Sequence, residues 1–83
     1  MLNLKIYNYD GKKNICGKKV REIRKKNDIT QDELAARLQV EGVNIERDSI
    51  SRLEKGMRFV ADYELVILAK VLGVTIEELI SND

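Results

Sequence analysis

The sequence predicts an all-α domain of five short helices preceded by a short N-terminal arm or strand. The chain has 83 residues, which is enough for one compact domain. After Gly17, apolar residues recur at helical spacing, and the chain contains no proline to interrupt a helix. We therefore divide the chain into an N-terminal arm at residues 1–16 and a helical domain at residues 17–83.

The arm is predicted from a different pattern. Leu2, Leu4 and Ile6 alternate with polar residues, and residues 8–11 (Asn-Tyr-Asp-Gly) are turn formers. A lone strand leaves its backbone N–H and C=O groups unpaired. We therefore expect an arm or edge strand that is either weakly held or paired, and we favour pairing with its copy in a second chain.

Capping and turn residues predict the limits of the first two helices. The first helix is expected at about residues 18–26, and it ends at the turn-forming pair at residues 27–28. Thr30 followed three residues later by Glu33 is a capping box, which starts the second helix. Gly42 is suited to the left-handed conformation that ends a helix.

The same signals predict three further helices. The third is expected at about residues 47–55 and the fourth at about residues 62–72, each followed by a glycine. The fifth begins at a second capping box, formed by Thr75 and Glu78. The predicted core consists of Leu34, Ala35, Leu38, Ile50, Leu53, Val66, Ala69 and Leu72, with Ile76, Leu79 and Ile80 from the fifth helix.

Charge is distributed unevenly along the chain. The formal net charge is only +1. Residues 1–26 nevertheless carry nine basic and two acidic side chains, whereas residues 27–83 carry six basic and twelve acidic ones. A basic segment suits a phosphate backbone, an acidic surface or simply solvent, so charge alone leaves these options open.

Composition argues against several classes of function. The chain has no histidine and one cysteine, Cys16, so we expect no structural zinc site and no disulfide within the chain, as is usual in the cytoplasm. Cys16 is interpreted as a partly buried thiol, with a redox sensor as the alternative. No catalytic constellation or glycine-rich phosphate loop is visible. We expect no enzyme activity, no cofactor, no small-molecule ligand and no membrane span.

The segment at residues 31–56 is the most informative for function. It predicts a capped amphipathic helix, a connection and a second short helix in which only Ile50 and Leu53 are required inside. The side chains left outside can hydrogen-bond to base edges or phosphates. Composition alone equally permits an ordinary solvated face. These outward side chains are Arg47, Asp48, Ser49, Ser51 and Arg52.

Four segments, in this order, resemble the Cro/phage-repressor helix-turn-helix family over about residues 17–80. The resemblance implies a five-helix, repressor-like DNA-binding domain that acts on double-stranded DNA as a transcriptional regulator. The segments are Lys-Val-Arg-Glu-Ile-Arg-Lys-Lys at 19–26, Ile-Thr-Gln-Asp-Glu-Leu-Ala at 29–35, Ile-Ser-Arg-Leu-Glu-Lys-Gly at 50–56 and Leu-Ala-Lys-Val-Leu-Gly-Val at 68–74.

The resemblance also implies roles for individual residues. Gln31 corresponds to a glutamine that binds a DNA phosphate and supports the recognition helix. Arg24 and Glu54 correspond to a structural ion pair between the first and third helices. The DNA-binding residues implied near the DNA backbone are Gln31, Lys55 and Arg58. Those implied on or beside the base-contacting face are Arg47, Asp48, Ser49, Ser51 and Arg52.

Two features depart from the family pattern. Between Leu38 and Ile50 the chain has about five more residues than the usual spacing of the family it resembles. We predict that the second helix is longer by about one turn. Asp48 is acidic where DNA is expected; it either accepts from a cytosine amino group or caps the third helix.

The predicted function is sequence-specific DNA binding by a repressor-like regulator, with a homodimer as the expected assembly. A monomer of this size covers one half-site, and two-fold pairing supplies additional affinity and specificity. The dimer contact is expected from the arm, or alternatively from Leu79, Ile80 and the outer side of the fourth helix. A protein-interaction or antitoxin-like module on the same fold is the alternative function.

Overall fold

The computed structural model describes residues 11–81, and over this range the chain forms five α-helices and no β-strand. The predicted all-α fold with five helices is confirmed. None of the helices in the described range is long and apolar enough to cross a membrane. The helices are α1 (Gly17–Lys26), α2 (Gln31–Val40), α3 (Arg47–Glu54), α4 (Asp62–Leu72) and α5 (Ile76–Ile80).

Both predicted capping boxes are present. The Thr30 hydroxyl accepts a hydrogen bond from the backbone N–H of Glu33 at 3.0 Å, and the Glu33 carboxylate accepts from the Thr30 N–H at 2.8 Å. Hydrogen bonding of the Glu33 carboxylate to Thr30, first of all to its backbone N–H, lowers the pKa of Glu33. Thr75 and Glu78 exchange the equivalent bonds at the start of α5. Local sequence therefore determines where these two helices begin.

The core lies where all five helices meet. Of the eight core residues predicted from α2, α3 and α4, seven are buried, and Val66 is 53% exposed. The prediction for Val66 was wrong because α4 is apolar on several sides. The buried stripe is formed by Leu68, Ala69 and Leu72, and Val66 lies away from this stripe. In α5 only Leu79 is buried, whereas Ile76 and Ile80, also predicted inside, are exposed.

The connection between α2 and α3 is long and ordered. Helix α2 ends at Val40, and residues 41–46 lead to α3, whereas a common helix-turn-helix turn has three or four residues. Val43 and Ile45 are buried in the core, and the Gln39 side-chain amide donates to the Ile45 carbonyl at 2.6 Å. The extra length, which we expected to extend α2, therefore lies at least partly in this connection.

The segment before α1 is joined to the end of α3. Residues 2–9, where the arm was predicted to form a strand, lie outside the described residues, and the boundary of the arm at residue 16 stays a prediction. The Asn14 amide donates to the carbonyls of Leu53 at 3.0 Å and Arg58 at 2.8 Å. Residues 11–16 thus contact the helical body directly.

Cys16 belongs to the core. Its side chain is almost completely buried, and burial raises the pKa of its thiol to about 11. The thiolate is the nucleophilic form of cysteine, and this environment disfavours it. Cys16 is therefore a packing residue, which supports the simple buried thiol over the redox sensor.

Replacement of Gly17 by alanine is expected to destabilise the domain. A Cβ atom at this position would overlap the Leu53 carbonyl oxygen and lie 3.1 Å from that of Glu54, so α1 would have to move away from α3. We expect a loss of about 1–3 kcal/mol in the free energy of unfolding, measured with urea, although alanine favours helices. The neighbouring exposed variant Lys18→Ala should change it by less than about 0.5 kcal/mol. Equal stability of Gly17→Ala and the wild type would contradict this packing.

Candidate nucleic-acid interface

Helix α3 has one buried side and one polar side. Ile50 and Leu53 are buried in the core, as the sequence predicted. The eight residues of α3 span about 12 Å at 1.5 Å per residue, so the polar side is short. On that side, Arg47, Asp48 and Arg52 are exposed, and Ser49 and Ser51 are half-buried.

A buried ion pair attaches α3 to α1. Arg24 Nε lies 2.6 Å from Glu54 Oε2, and Arg24 Nη2 donates to Glu54 Oε1 at 3.0 Å. The two side chains are only 9% and 2% exposed. Arg24 also donates from Nη1 to the Ile29 carbonyl at 2.8 Å, and its bonds to Glu54 raise the pKa of the guanidinium. The ion pair implied by the family resemblance is present.

Gln31 connects α2 to this ion pair. It is the first residue of α2 and is half-buried. Its Nε2 donates to Glu54 Oε1 at 3.1 Å. The Glu54 carboxylate thus accepts from both Arg24 and Gln31, so it links α3 with α1 and α2. The supporting contact expected of Gln31 is therefore present.

Arg47 lies between two exposed carboxylates at the start of α3. Its Nε is 3.7 Å from Asp32 Oδ1, and its Nη2 is 3.8 Å from Asp48 Oδ1. Exposed ion pairs of this length contribute little stability, so the guanidinium can exchange these partners for others. The proximity of Asp32 was not anticipated from the sequence, because it depends on the path of the connection between α2 and α3.

Asp48 does not cap α3. The N-cap residue of α3 is Glu46, and no side-chain capping bond is made there. Asp48 instead lies in the first turn of the helix, where a carboxylate interacts favourably with the helix dipole. The capping alternative for Asp48 was therefore wrong, and the alternative in which it contacts a base stays a prediction.

The two cations expected near the DNA backbone have different environments. Lys55, at the C-cap of α3, is exposed. The Arg58 side chain is only 23% exposed, and its Nη1 and Nη2 donate to the Glu64 carboxylate at 3.0 and 3.2 Å. The hydrogen bonds from Arg58 lower the pKa of Glu64. Arg58 is therefore engaged in holding the loop before α4, and Lys55 is the more available cation.

Four of the basic residues of the N-terminal part lie on the surface of α1. Lys18, Arg21, Lys25 and Lys26 are exposed. No ion pair involving any of these four occurs within residues 11–81. These cations therefore contribute to a positive potential, which accelerates association with polyanions.

In the structure, α2 and α3 are joined and the polar side of α3 is exposed. A comparison of the sequence with known protein families agrees with this arrangement. A family model described as helix-turn-helix matches residues 20–79. The chain belongs to the helix-turn-helix family, Cro/C1 type. The match extends from α1 into α5. No curated protein and no solved structure is significantly similar to the chain.

Membership of the family establishes the general function of the helix-turn-helix domain. It is a DNA-binding domain of a transcriptional regulator, in a family that is not typically enzymatic. In the helix-turn-helix motif the second helix is the one that enters the DNA groove. Helices α2 and α3 are the two helices of the motif here, and the buried ion pair orients α3.

A double-mutant cycle tests the ion pair. Replacing Glu54 by leucine leaves the Arg24 guanidinium buried without its carboxylate, so we expect a loss of about 3 kcal/mol or more in the free energy of unfolding. The reverse single variant, Arg24→Met, should lose a similar amount. The double variant should lose less than the sum of the two. Additive losses would contradict the coupling, and Lys70→Ala, which removes an exposed ion pair with Glu41, is the control.

Proposed function

We propose that the protein is a sequence-specific, repressor-like regulator that inserts α3 into the major groove of double-stranded DNA. The observation that carries the proposal is the polar side of α3 on a helix held by the Arg24–Glu54 ion pair. The major groove is about 12 Å wide and accepts an α-helix. A helix whose buried side is fixed presents its outward side chains in one orientation. Base recognition requires such a fixed orientation.

Arg47 and Arg52 are the proposed main base contacts. Arginine donates two hydrogen bonds to guanine O6 and N7, the commonest specific contact in protein–DNA complexes. The two arginines are separated by about 7.5 Å along the helix axis, at 1.5 Å per residue, so they can address different base pairs. Asp48 can accept from a cytosine amino group, and Ser49 and Ser51 can make further hydrogen bonds.

Gln31 and Lys55 are the proposed phosphate contacts. Gln31 lies at the N-terminus of α2, where backbone N–H groups and the helix dipole favour an anion. Its side-chain amide has two N–H donors, and only one is needed for Glu54, so the second is available to a phosphate oxygen. Lys55 is exposed at the C-terminal end of α3, where its ammonium group can contact the DNA backbone. These contacts position the domain without selecting a base.

Alanine variants distinguish the two classes of contact. We expect Arg47→Ala and Arg52→Ala each to lower affinity for the preferred sequence by about 1–3 kcal/mol and to relax base preference. Gln31→Ala should weaken binding to all sequences similarly. Affinities for specific and random duplexes, measured by fluorescence anisotropy with Lys70→Ala as the control, test this. Equal losses on both duplexes for the arginine variants would reassign them to the phosphate backbone.

Sequence selectivity itself is tested by selection of genomic fragments with the purified protein at two salt concentrations. The proposed function requires enrichment of a defined sequence that persists at the higher salt concentration, because base contacts depend less on counterion release than phosphate contacts do. Retention of all fragments alike, or of none, would contradict it. That result would favour the protein-interaction or antitoxin-like alternative, which the net negative charge of residues 27–83 supports.

A homodimer is the proposed DNA-binding form. The arm, which the sequence favours as the contact, lies mostly outside the described residues. Leu79 of the alternative contact is buried, so we propose the other part of that alternative, the outer side of α4. Tyr63 and Val66 lie three positions apart on α4, and both are exposed. We expect Val66→Glu to raise the dimer dissociation constant at least about tenfold in sedimentation velocity, since a charge would be buried at the contact. A variant lacking residues 2–9 should remain dimeric. Loss of the dimer in that variant would assign the contact to the arm instead, and a monomeric wild type would contradict pairing in the absence of DNA.

A further inference from the structure

The connection between α2 and α3 is held rigidly. Gly42 has a φ of +93°, which reverses the chain, and the Val43 N–H donates to the Leu38 carbonyl at 2.9 Å. Val43 and Ile45 are both buried in the core. The Gln39 side chain fixes the Ile45 carbonyl at 2.6 Å. The residue between Val43 and Ile45 therefore has a backbone fixed on both sides.

That residue is Asn44, and its side chain is exposed. The hydrogen bonds and ion pairs within residues 11–81 include none from the Asn44 amide. It does not cap α3 either, because the N-cap is Glu46. Within residues 11–81, the Asn44 amide, with two N–H donors and one carbonyl acceptor, thus stands on a fixed backbone and makes no internal hydrogen bond.

Asn44 lies just beyond the N-terminal end of α3. In helix-turn-helix proteins the N-terminal residues of the recognition helix contact base edges. Asn44 and Arg47 are three positions apart in the sequence, so their Cα atoms are at most about 11 Å apart. Base pairs are spaced by about 3.4 Å along the duplex. A base pair contacted by Asn44 would therefore lie within about three steps of the one that Arg47 contacts.

We propose that Asn44 is a specificity-determining residue that contacts adenine in the major groove. An asparagine amide accepts from adenine N6 and donates to adenine N7, and no other base presents this pair of groups in that arrangement. The proposal rests on the proposed function, since it requires α3 to lie in the groove. It adds a base contact from the long connection, and Gln39 acts as the positioning residue for that contact.

Selection from randomised duplexes with the full chain tests the proposal. The wild type should require adenine at one position per half-site, within about three base pairs of the position that loses preference in Arg47→Ala. Asn44→Ala should lose the adenine requirement at that position alone, and its affinity for the selected site should fall about 5- to 150-fold. Asn44→Asp, which has nearly the same shape but no donor for N7, should lose it as well. Glu77→Ala, at an exposed position of α5, is the control.

Gln39 supplies a second readout. Gln39→Ala frees the Ile45 carbonyl and should weaken the same adenine preference, while preferences at other positions remain. In the double variant with Asn44→Ala, no further loss at that position is expected, because both changes act through one contact. If Gln39 has only a structural role, Gln39→Ala will reduce thermal stability without weakening the preference for adenine at that one position.

The possible outcomes separate the two proposals. If the wild type selects a sequence and Asn44→Ala selects the same sequence with the same affinity, the role of Asn44 is wrong and the proposed function stands. Equal loss of affinity for all sequences would assign Asn44 to the backbone and would also overturn its role in specificity. If the wild type selects no sequence, the proposed function fails, and the role of Asn44 fails with it.

Discussion

The buried contact between Arg24 and Glu54 is the interaction on which the functional arrangement depends. Burial of two charges is costly unless the remaining donors and acceptors are satisfied. Here the carboxylate accepts from Arg24 twice and from Gln31 once, and the guanidinium also reaches the Ile29 carbonyl. Because these bonds are directional, they fix the orientation of α3 relative to α1 and α2 more narrowly than apolar contacts can.

The Arg24–Glu54 contact, which fixes the buried side of α3, explains how so short a helix can serve as a recognition element. Isolated helices of this length are not stable in water, so α3 depends on tertiary contacts for its conformation. Ile50 and Leu53 supply the apolar part of those contacts, and Glu54 supplies the polar part. The outward side chains are thus not needed for the apolar core, and we propose that they contact DNA. In our proposal for Asn44, the ordered connection before α3 extends the same surface.

Features that depend on residues close together in the sequence could be predicted from it. Features that depend on the path of the folded chain could not. The capping box at Thr30 involves only neighbouring residues, and the ion pair of Arg24 follows from the family resemblance. The exposure of Val66 could not be predicted, because an apolar helix does not reveal which of its sides is covered. The proximity of Asp32 to Arg47 and the pairing of Arg58 depend on loops whose paths follow no local rule.

The most direct test of α3 as a rigidly held recognition helix is an NMR titration of the ¹⁵N-labelled protein with a duplex containing the selected sequence. We predict that the largest shift changes occur at the amides of α3 and at the side-chain Nε groups of Arg47 and Arg52. The Nε–H resonance of Arg24 should stay close to its position in the free protein, because its bond to Glu54 is retained. Changes confined to α4 and α5, with α3 unaffected, would contradict the account.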